Sequence, residues 1–255
     1  MEFDELDERM RVFETAHDHC VLPGLTMVAR LDGRGFTRLT KEIHGFEAPF
    51  DLRFNEHMAA TTQHLMDCGM RILYGYTQSD EISLLFHLDE TSFGRKERKL
   101  ISVLAGEASA AFSLRLGAPG IFDCRICQLP DRLRVIDYFR WRQADAHRNA
   151  LNAHCYWAQR KDGVSGNKAS ERLDGMSVSD KNEFLFAKGI NVNELPNWQK
   201  RGVGVRWMAV LKEGQNPITG ERVTVSRRRL VVDRELPMRD EYASYLEASI
   251  DGEDG

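Results

Sequence analysis

No stretch of the 255-residue chain holds the ~18 to 20 unbroken apolar residues that a membrane-spanning helix needs, which excludes a helical membrane anchor. The amino end, MEFDELDERM, has neither the basic nor the apolar character of a signal or transit peptide. Export therefore has no support, and a cytoplasmic location is the expectation. Cysteine is scarce and odd in number. Cys20, Cys68, Cys124, Cys127 and Cys155 are irregularly spaced, which is no disulfide framework and suits a reducing compartment. Internal repeats and low-complexity linkers are missing as well. Nor is there an excess of positive charge: 35 Lys plus Arg face 39 Asp plus Glu, for a formal charge of −4. On that sum alone a polyanionic partner has no support. What remains is a chain with 42% apolar residues, long enough to bury a sizeable core in one large domain or two small ones.

The charge is unevenly placed. Residues 1–130 carry 14 basic and 20 acidic side chains, residues 131–234 carry 20 and 12, and residues 235–255 carry 1 and 7. A basic segment thus lies between acidic ends, and it reads either as a solvated helical surface or as a face for a polyanion. The last residues, DGEDG, read as a frayed tail.

Periodicity orders the first half. Leu25 to Leu31 is a short apolar, strand-like run. Residues 51–67 space Phe54, Met58, Thr62, Leu65 and Met66 at helical intervals, with Gly69 as a stop. Two strand-like runs, Arg71 to Tyr76 and Ile82 to Leu88, flank the polar bend Thr77 to Glu81, a hairpin pattern. A second amphipathic helix is expected over Lys96 to Leu116, closed by Gly117 and Pro119, and Ile121 to Leu129 alternates like a strand. Strand, helix, strand, strand, helix, strand is the ferredoxin-like βαββαβ order, an α+β arrangement. Its usual form is an antiparallel sheet with both helices on one face and the other face free for a site. After Pro130 the chain reads as mainly helical and basic, so the expected division is 1–130 and 131–255, possible as one compact unit. A long helix is expected over Val135 to Trp157, with shorter ones over Asp180 to Gly189 and Asn193 to Lys200. Val203 to Lys212 and Arg229 to Asp233 read as strands, joined by a turn marked by Asn216-Pro217 and Gly220.

Asp32 ends the first strand in RLDGRGFT, and Asp80 sits in the hairpin bend in QSDEIS. In the expected topology their strands are neighbours, so the two carboxylates can meet at one edge. Paired carboxylates repel unless a cation neutralises them. With backbone oxygens and water they suit Mg²⁺, and two such ions ~3.5 to 4 Å apart form the clamp of phosphoryl transfer. Gly33 and Gly35 leave room for a triphosphate, and a helix starting near Phe36 would direct free N–H groups at it. Taken singly, Asp32-Gly33 reads as an ordinary turn and Asp80-Glu81 as an exposed hairpin tip.

Taken together with two later strings they do not. RLDGRGFTRL, QSDEISLLF, WRQADAHRN and DKNEFLF, in this order, resemble the tRNA-histidine guanylyltransferase family and its Thg1-like 3′-to-5′ RNA polymerase relatives, over about residues 22–210. The resemblance implies a polymerase-like palm. It implies that Asp32, the Gly33 carbonyl and Asp80 bind two Mg²⁺ ions, with Glu81 as a supporting catalytic carboxylate. It implies nucleotide contacts from Ser79 and from the segment Asp32, Gly33, Arg34, Gly35, Phe36 and Thr37. Arg30 and Lys181 are then expected at phosphates, and His147 and Asn149 at a second nucleotide. The implied activity adds a nucleotide to the 5′ end of a tRNA. ATP or GTP activates a 5′-monophosphate, the 3′-hydroxyl of an incoming GTP displaces the nucleoside monophosphate, and pyrophosphate leaves last. The implied partners are tRNA, GTP and ATP, and the implied assembly is a homotetramer.

The chain departs from the family pattern His-Ile-Asn-Asn-Leu-Tyr-Asn: it reads His147-Arg148-Asn149-Ala150-Leu151-Asn152-Ala153. A lysine common in the family before the first helix is replaced by HGFEAPFD around Glu47 and Ala48. Two alternatives stand beside simple guanylate addition: templated repair of truncated tRNA 5′ ends, and an RNA-binding palm with reduced catalysis. A palm-type nucleotidyl cyclase is disfavoured because its local motifs are missing. Other clusters compete less well. Cys124 and Cys127 sit on an expected strand, where their spacing points them to opposite sides, away from a shared metal. His17-Asp18-His19-Cys20 reads as an exposed polar helix end. Gly163 to Lys168 lacks the Walker spacing. Trp141, Tyr156 and Trp157 read as core, and Arg227-Arg228-Arg229 as a surface that can meet the tRNA backbone.

Overall fold

The computed structural model describes residues 3–215 and 222–251. It begins with a helix that periodicity had not suggested, α1 (Phe3–Thr15), none of whose residues is buried. Then follow β1 (Thr26–Gly33), one helical turn α2 (Phe36–Arg38) running into a π-helical turn over Leu39–Ile43, and α3 (Leu52–Met66). β2 (Ile72–Gln78), β3 (Glu81–Phe86), α4 (Glu97–Leu116) and β4 (Phe122–Leu129) complete the expected βαββαβ order. β1 is antiparallel to both its neighbours, β3 and β4, as that order requires. The Asp51 carboxylate caps α3 by accepting from the Arg53 N–H, and Gly117, at φ 74°, closes α4.

The second half adds α5 (Arg132–Lys161), α6 (Gly166–Asp174), α7 (Val178–Ala187) and α8 (Asn197–Arg201). The helix expected over Asn193 to Lys200 is divided, because Pro196 cannot continue one: a 3₁₀ turn at Val192–Glu194 precedes it and α8 follows. β5 (Val203–Gln215), β6 (Arg222–Asp233) and α9 (Arg239–Asp251) end the described chain. The expected turn at Asn216-Pro217 and Gly220 lies outside the described residues, as does Gly252 onward of the acidic tail. The two late strands do not form a separate unit. They extend the first-half sheet beyond β2, giving the order β4-β1-β3-β2-β5-β6.

Strand alternation divides the core in two. Met27, Ala29 and Leu31 of β1 and Ile82, Leu84 and Phe86 of β3 face Met58 and Leu65 of α3 and the stripe Leu100, Leu104, Ala108 and Phe112 of α4. The opposite face is not free, as the usual form of the motif suggests. Val28, Tyr74, Tyr76 and Leu85 are covered there by Val135, Ile136, Tyr138 and Phe139 of α5 and by Tyr242 and Leu246 of α9. The physical reason lies mainly in β2, whose Leu73, Tyr74 and Tyr76 join Val28 of β1 and Leu85 of β3 on that face and need a cover. A site must therefore lie at an end of the strands.

Candidate active site

At the strand ends, β1 and the β2–β3 turn are held together by backbone pairing. Asp32 is opposite Glu81 in the ladder, and the Gly33 N–H donates to the Asp80 carbonyl at 3.0 Å. The turn is tighter than expected. β2 continues to Gln78 and β3 begins at Glu81, leaving Ser79 and Asp80, with Ser79 at φ 53°. A non-glycine residue there stores strain of about 1 kcal/mol or more. The Ser79 hydroxyl donates to Asp80 Oδ1 at 3.0 Å. Burial pushes the Asp80 carboxyl up to about 6, and the charges of Asp32 and Glu81 add to the rise.

Two arginines converge on Glu81. The Arg30 guanidinium pairs with it and lies 3.6 Å from Asp32. Arg142 reaches it from α5 at 3.3 Å, lies 3.7 Å from Asp145 and stacks 3.6 Å from the Trp141 ring centroid. Arg30 is thus turned to a carboxylate in this arrangement. Trp141 is 56% exposed, so it is a surface platform for Arg142 and not the core residue that its spacing suggested.

A cavity of about 350 Å³ opens beside these groups. Ser79, Asp80, Glu81, Arg142, Asp145 and Asn149 line it together with Phe36, Thr37, Lys41, Phe50, Asn55, Trp157 and Trp198. Among the residues singled out by sequence, the structure gathers Asp32, Gly33, Ser79, Asp80 and Glu81, and brings Phe36, Thr37 and Asn149 into the wall. Phe36 packs its ring within 5.0 Å of Phe112 and Phe122. A Cβ on Gly33 would stand 2.6 Å from that ring, so Gly33 is glycine because Phe36 needs the space. Gly35 is exposed in the left-handed region, φ 73°, and Arg34 is exposed, its N–H donating to the Ile121 carbonyl at 2.8 Å.

Two of the singled-out residues lie elsewhere. His147 is not in the cavity wall; burial and the charges of Lys200 and Arg201 hold its pKa down. Lys181 lines a neighbouring open depression with Asn152, Tyr156, Ser170 and Asp174, which shares Ala153 and Trp157 with the cavity. Sequence reasoning missed Lys41, Arg142 and Asp145. Lys41 Nζ donates to the carbonyls of Glu47 at 2.7 Å and Pro49 at 3.2 Å, and burial lowers its pKa. Arg142, Asp145, Ala146, Asn149 and Ala153 all line the cavity, and their helical spacing was the available signal.

Among the described residues no three His, Cys, Asp or Glu side chains gather as a metal site of their own. Asp32 and Asp80 supply two hard-oxygen carboxylates, and burial, together with the charges of Asp32 and Glu81, holds the Asp80 pKa up. That set fits Mg²⁺, which is commonly held by one or two carboxylates together with substrate phosphates. Cys124 and Cys127 point to opposite cores, as their spacing indicated. Asp18 is bound by Lys96 at 2.7 Å and by Arg98, a structural tie. Among the described residues no helix is long and apolar enough to cross a membrane.

A βαββαβ sheet that sets two carboxylates at adjacent strand ends beside an open cavity defines a palm-type nucleotidyltransferase. The family model for tRNAHis guanylyltransferase, Thg1, matches residues 7–130, and that for the Thg1 C-terminal domain matches residues 133–240. The chain belongs to the tRNA-histidine guanylyltransferase family. It is 32% identical over 236 residues to the tRNA(His) guanylyltransferase of Debaryomyces hansenii, covering 87% of this chain and 88% of that one. A bacterial Thg1-like protein solved in complex with ATP superposes with a TM-score of 0.77 at 28% identity, covering 96% of this chain and 99% of its own. A bacterial Thg1-like protein in complex with GTP superposes with a TM-score of 0.71 at 28% identity, covering 97% and 99%.

Proposed function

We propose that the protein is a tRNA 5′-end nucleotidyltransferase that adds guanylate in the 3′-to-5′ direction. The observation that carries this reading is the juxtaposition of Asp32 and Asp80, joined by the Gly33–Asp80 backbone bond, with Asp80 in the cavity wall. Asp32, the Gly33 carbonyl and Asp80 would hold two Mg²⁺ ions, which when bound lower the pKa of the attacking hydroxyl and neutralise charge on the leaving phosphate. The chain's own groups bind and orient the reactants. Thr37, Ser79 and Asn149 offer hydrogen bonds to nucleotide, and Lys41 supplies positive charge at the cavity wall. Glu81 fixes Arg30 and Arg142, while Phe50, Trp157 and Trp198 restrict water. Each transfer then depends on in-line positioning and charge neutralisation more than on a covalent nucleophile.

The order of events follows the family: activation of a 5′-monophosphate by ATP or GTP, displacement by the 3′-hydroxyl of GTP, and removal of pyrophosphate. A 5′-triphosphate makes the first event unnecessary. We place this activity in the cytoplasm and in a homotetramer, as the family resemblance supports. Purified protein with Mg²⁺, ATP, labelled GTP and tRNA bearing either a 5′-monophosphate or a 5′-triphosphate is expected to yield 5′-extended tRNA. Extension of neither substrate overturns the reading. Templated addition of all four nucleotides to truncated tRNAs would assign the same site to 5′-end repair.

A further inference from the structure

Two open surfaces of the chain complement one another. In α1, Phe3, Leu6, Met10 and Phe13 recur at intervals of three and four, so they form one apolar stripe. All four are exposed, Phe3 at 79% and Phe13 at 78%. A helix of 13 residues is marginal in water by itself. The other described residues leave the stripe uncovered. Asp7 and Glu14 flank it, Asp7 being paired with Arg11 at 2.7 Å, and five acidic side chains, Asp4, Glu5, Asp7, Glu8 and Glu14, outnumber Arg9 and Arg11 on the helix.

The second surface is the β5–β6 arm. Trp207, Leu230 and Val232 still pack against the core. Farther out, Met208, Val210 and Leu211 are exposed. The register pairs Met208 with Arg229 and Val210 with Arg227, so one face of this ribbon presents two apolar side chains between two arginines. The arginines also discourage strand addition at the free edge of β6, which leaves the face as the place to dock.

We propose that α1 of one protomer docks on the Met208–Val210–Arg227–Arg229 face of a second copy of this chain. This deepens the oligomer reading above and rests on it. An RNA backbone could meet the arginines but would leave Met208 and Val210 in water, whereas α1 supplies apolar area and negative charge together. In a two-fold pair the contact occurs twice, each copy giving its helix and receiving its partner's.

The test is the mass of the full chain in solution, measured by size-exclusion chromatography with light scattering. Leu6→Glu with Phe13→Glu, and separately Arg227→Glu with Arg229→Glu, should each at least halve the wild-type mass with an unchanged circular-dichroism spectrum. Combining the arginine reversals with Asp7→Lys and Glu14→Lys should restore it, a result that misfolding cannot produce. Undiminished mass in both variants overturns this contact and leaves the oligomer reading standing. A wild-type monomer overturns both. Arginine variants that keep their mass and lose tRNA binding give the arm to RNA and overturn the contact.

Discussion

Arg142, nearly fully buried on α5, lies 3.3 Å from Glu81 at the start of β3, and so ties the long second-half helix to the carboxylate end of the sheet. Removing it would leave Glu81 with Arg30 alone and unseat the turn that carries Asp80. Arg142→Met is expected to lower kcat by roughly 10² with a smaller change in KM for GTP, because the loss is of positioning. Arg142→Lys should recover only part of this, since an ammonium cannot stack on Trp141 and bridge Glu81 and Asp145 together. Steady-state kinetics with 5′-triphosphorylated tRNA measures both.

Asp32→Ala and Asp80→Ala are expected to reduce 5′ extension by at least ~10³, consistent with losing the charge stabilisation on which phosphoryl transfer depends. Both residues are partly exposed at strand ends, so circular dichroism should be unchanged. Full activity in either variant would remove that residue from the site.

The raised pKa of Asp80 makes a stability prediction with a definite sign. Between its ordinary value near 4 and its folded value of about 6, the folded protein binds a proton that the unfolded chain has released. Stability without divalent cations therefore falls as pH rises through that window and stays lower above it. Asp80→Asn should raise Tm by a few degrees at pH 7.5, and the gain should vanish near pH 4. Adding Mg²⁺ should raise the wild-type Tm at pH 7.5 and leave the variant unmoved; thermal scans at both pH values, with and without Mg²⁺, decide this.

Lys41 is expected to act on nucleotide binding. Its ammonium secures the Glu47 and Pro49 carbonyls and leaves a third N–H for the cavity. Lys41→Met should raise KM for the triphosphate about tenfold while lowering kcat by less. It should also cost about 1–3 kcal/mol of stability through the freed carbonyls, read by urea denaturation.

Much of the fold was legible because the first half repeats short local patterns. A short apolar run marked β1, alternation marked β4, helical spacing marked α3 and α4, and the Ser79-Asp80 bend was bracketed by two apolar runs. The covered second face was not legible, since it depends on long-range docking of Tyr138 and Phe139 on Tyr74 and Leu85, which no local period reports. At the site, Asp32 and Asp80 were found through strand adjacency and the family motifs. Arg142 was hidden in a quoted motif, WRQADAHRN, because its partner Glu81 lies some 60 residues away, and Asp145 was hidden with it because it is tied to Arg142 and Arg148 on the same helix. Gly33 was read as space for a triphosphate, yet the neighbour within reach of its missing Cβ is the ring of Phe36, three residues on.

The course of α5 has a consequence for dissection of the chain. It starts at Arg132, just beyond the first family match, and covers the sheet face formed by Val28, Tyr74 and Leu85 before reaching Glu81. A fragment ending at residue 130 would therefore expose an apolar sheet face to water and leave Glu81, beside Asp80, with Arg30 as its one arginine among those described. Catalysis and solubility would be lost in the same cut, so the two family-matched segments can be shuffled or truncated only as a pair.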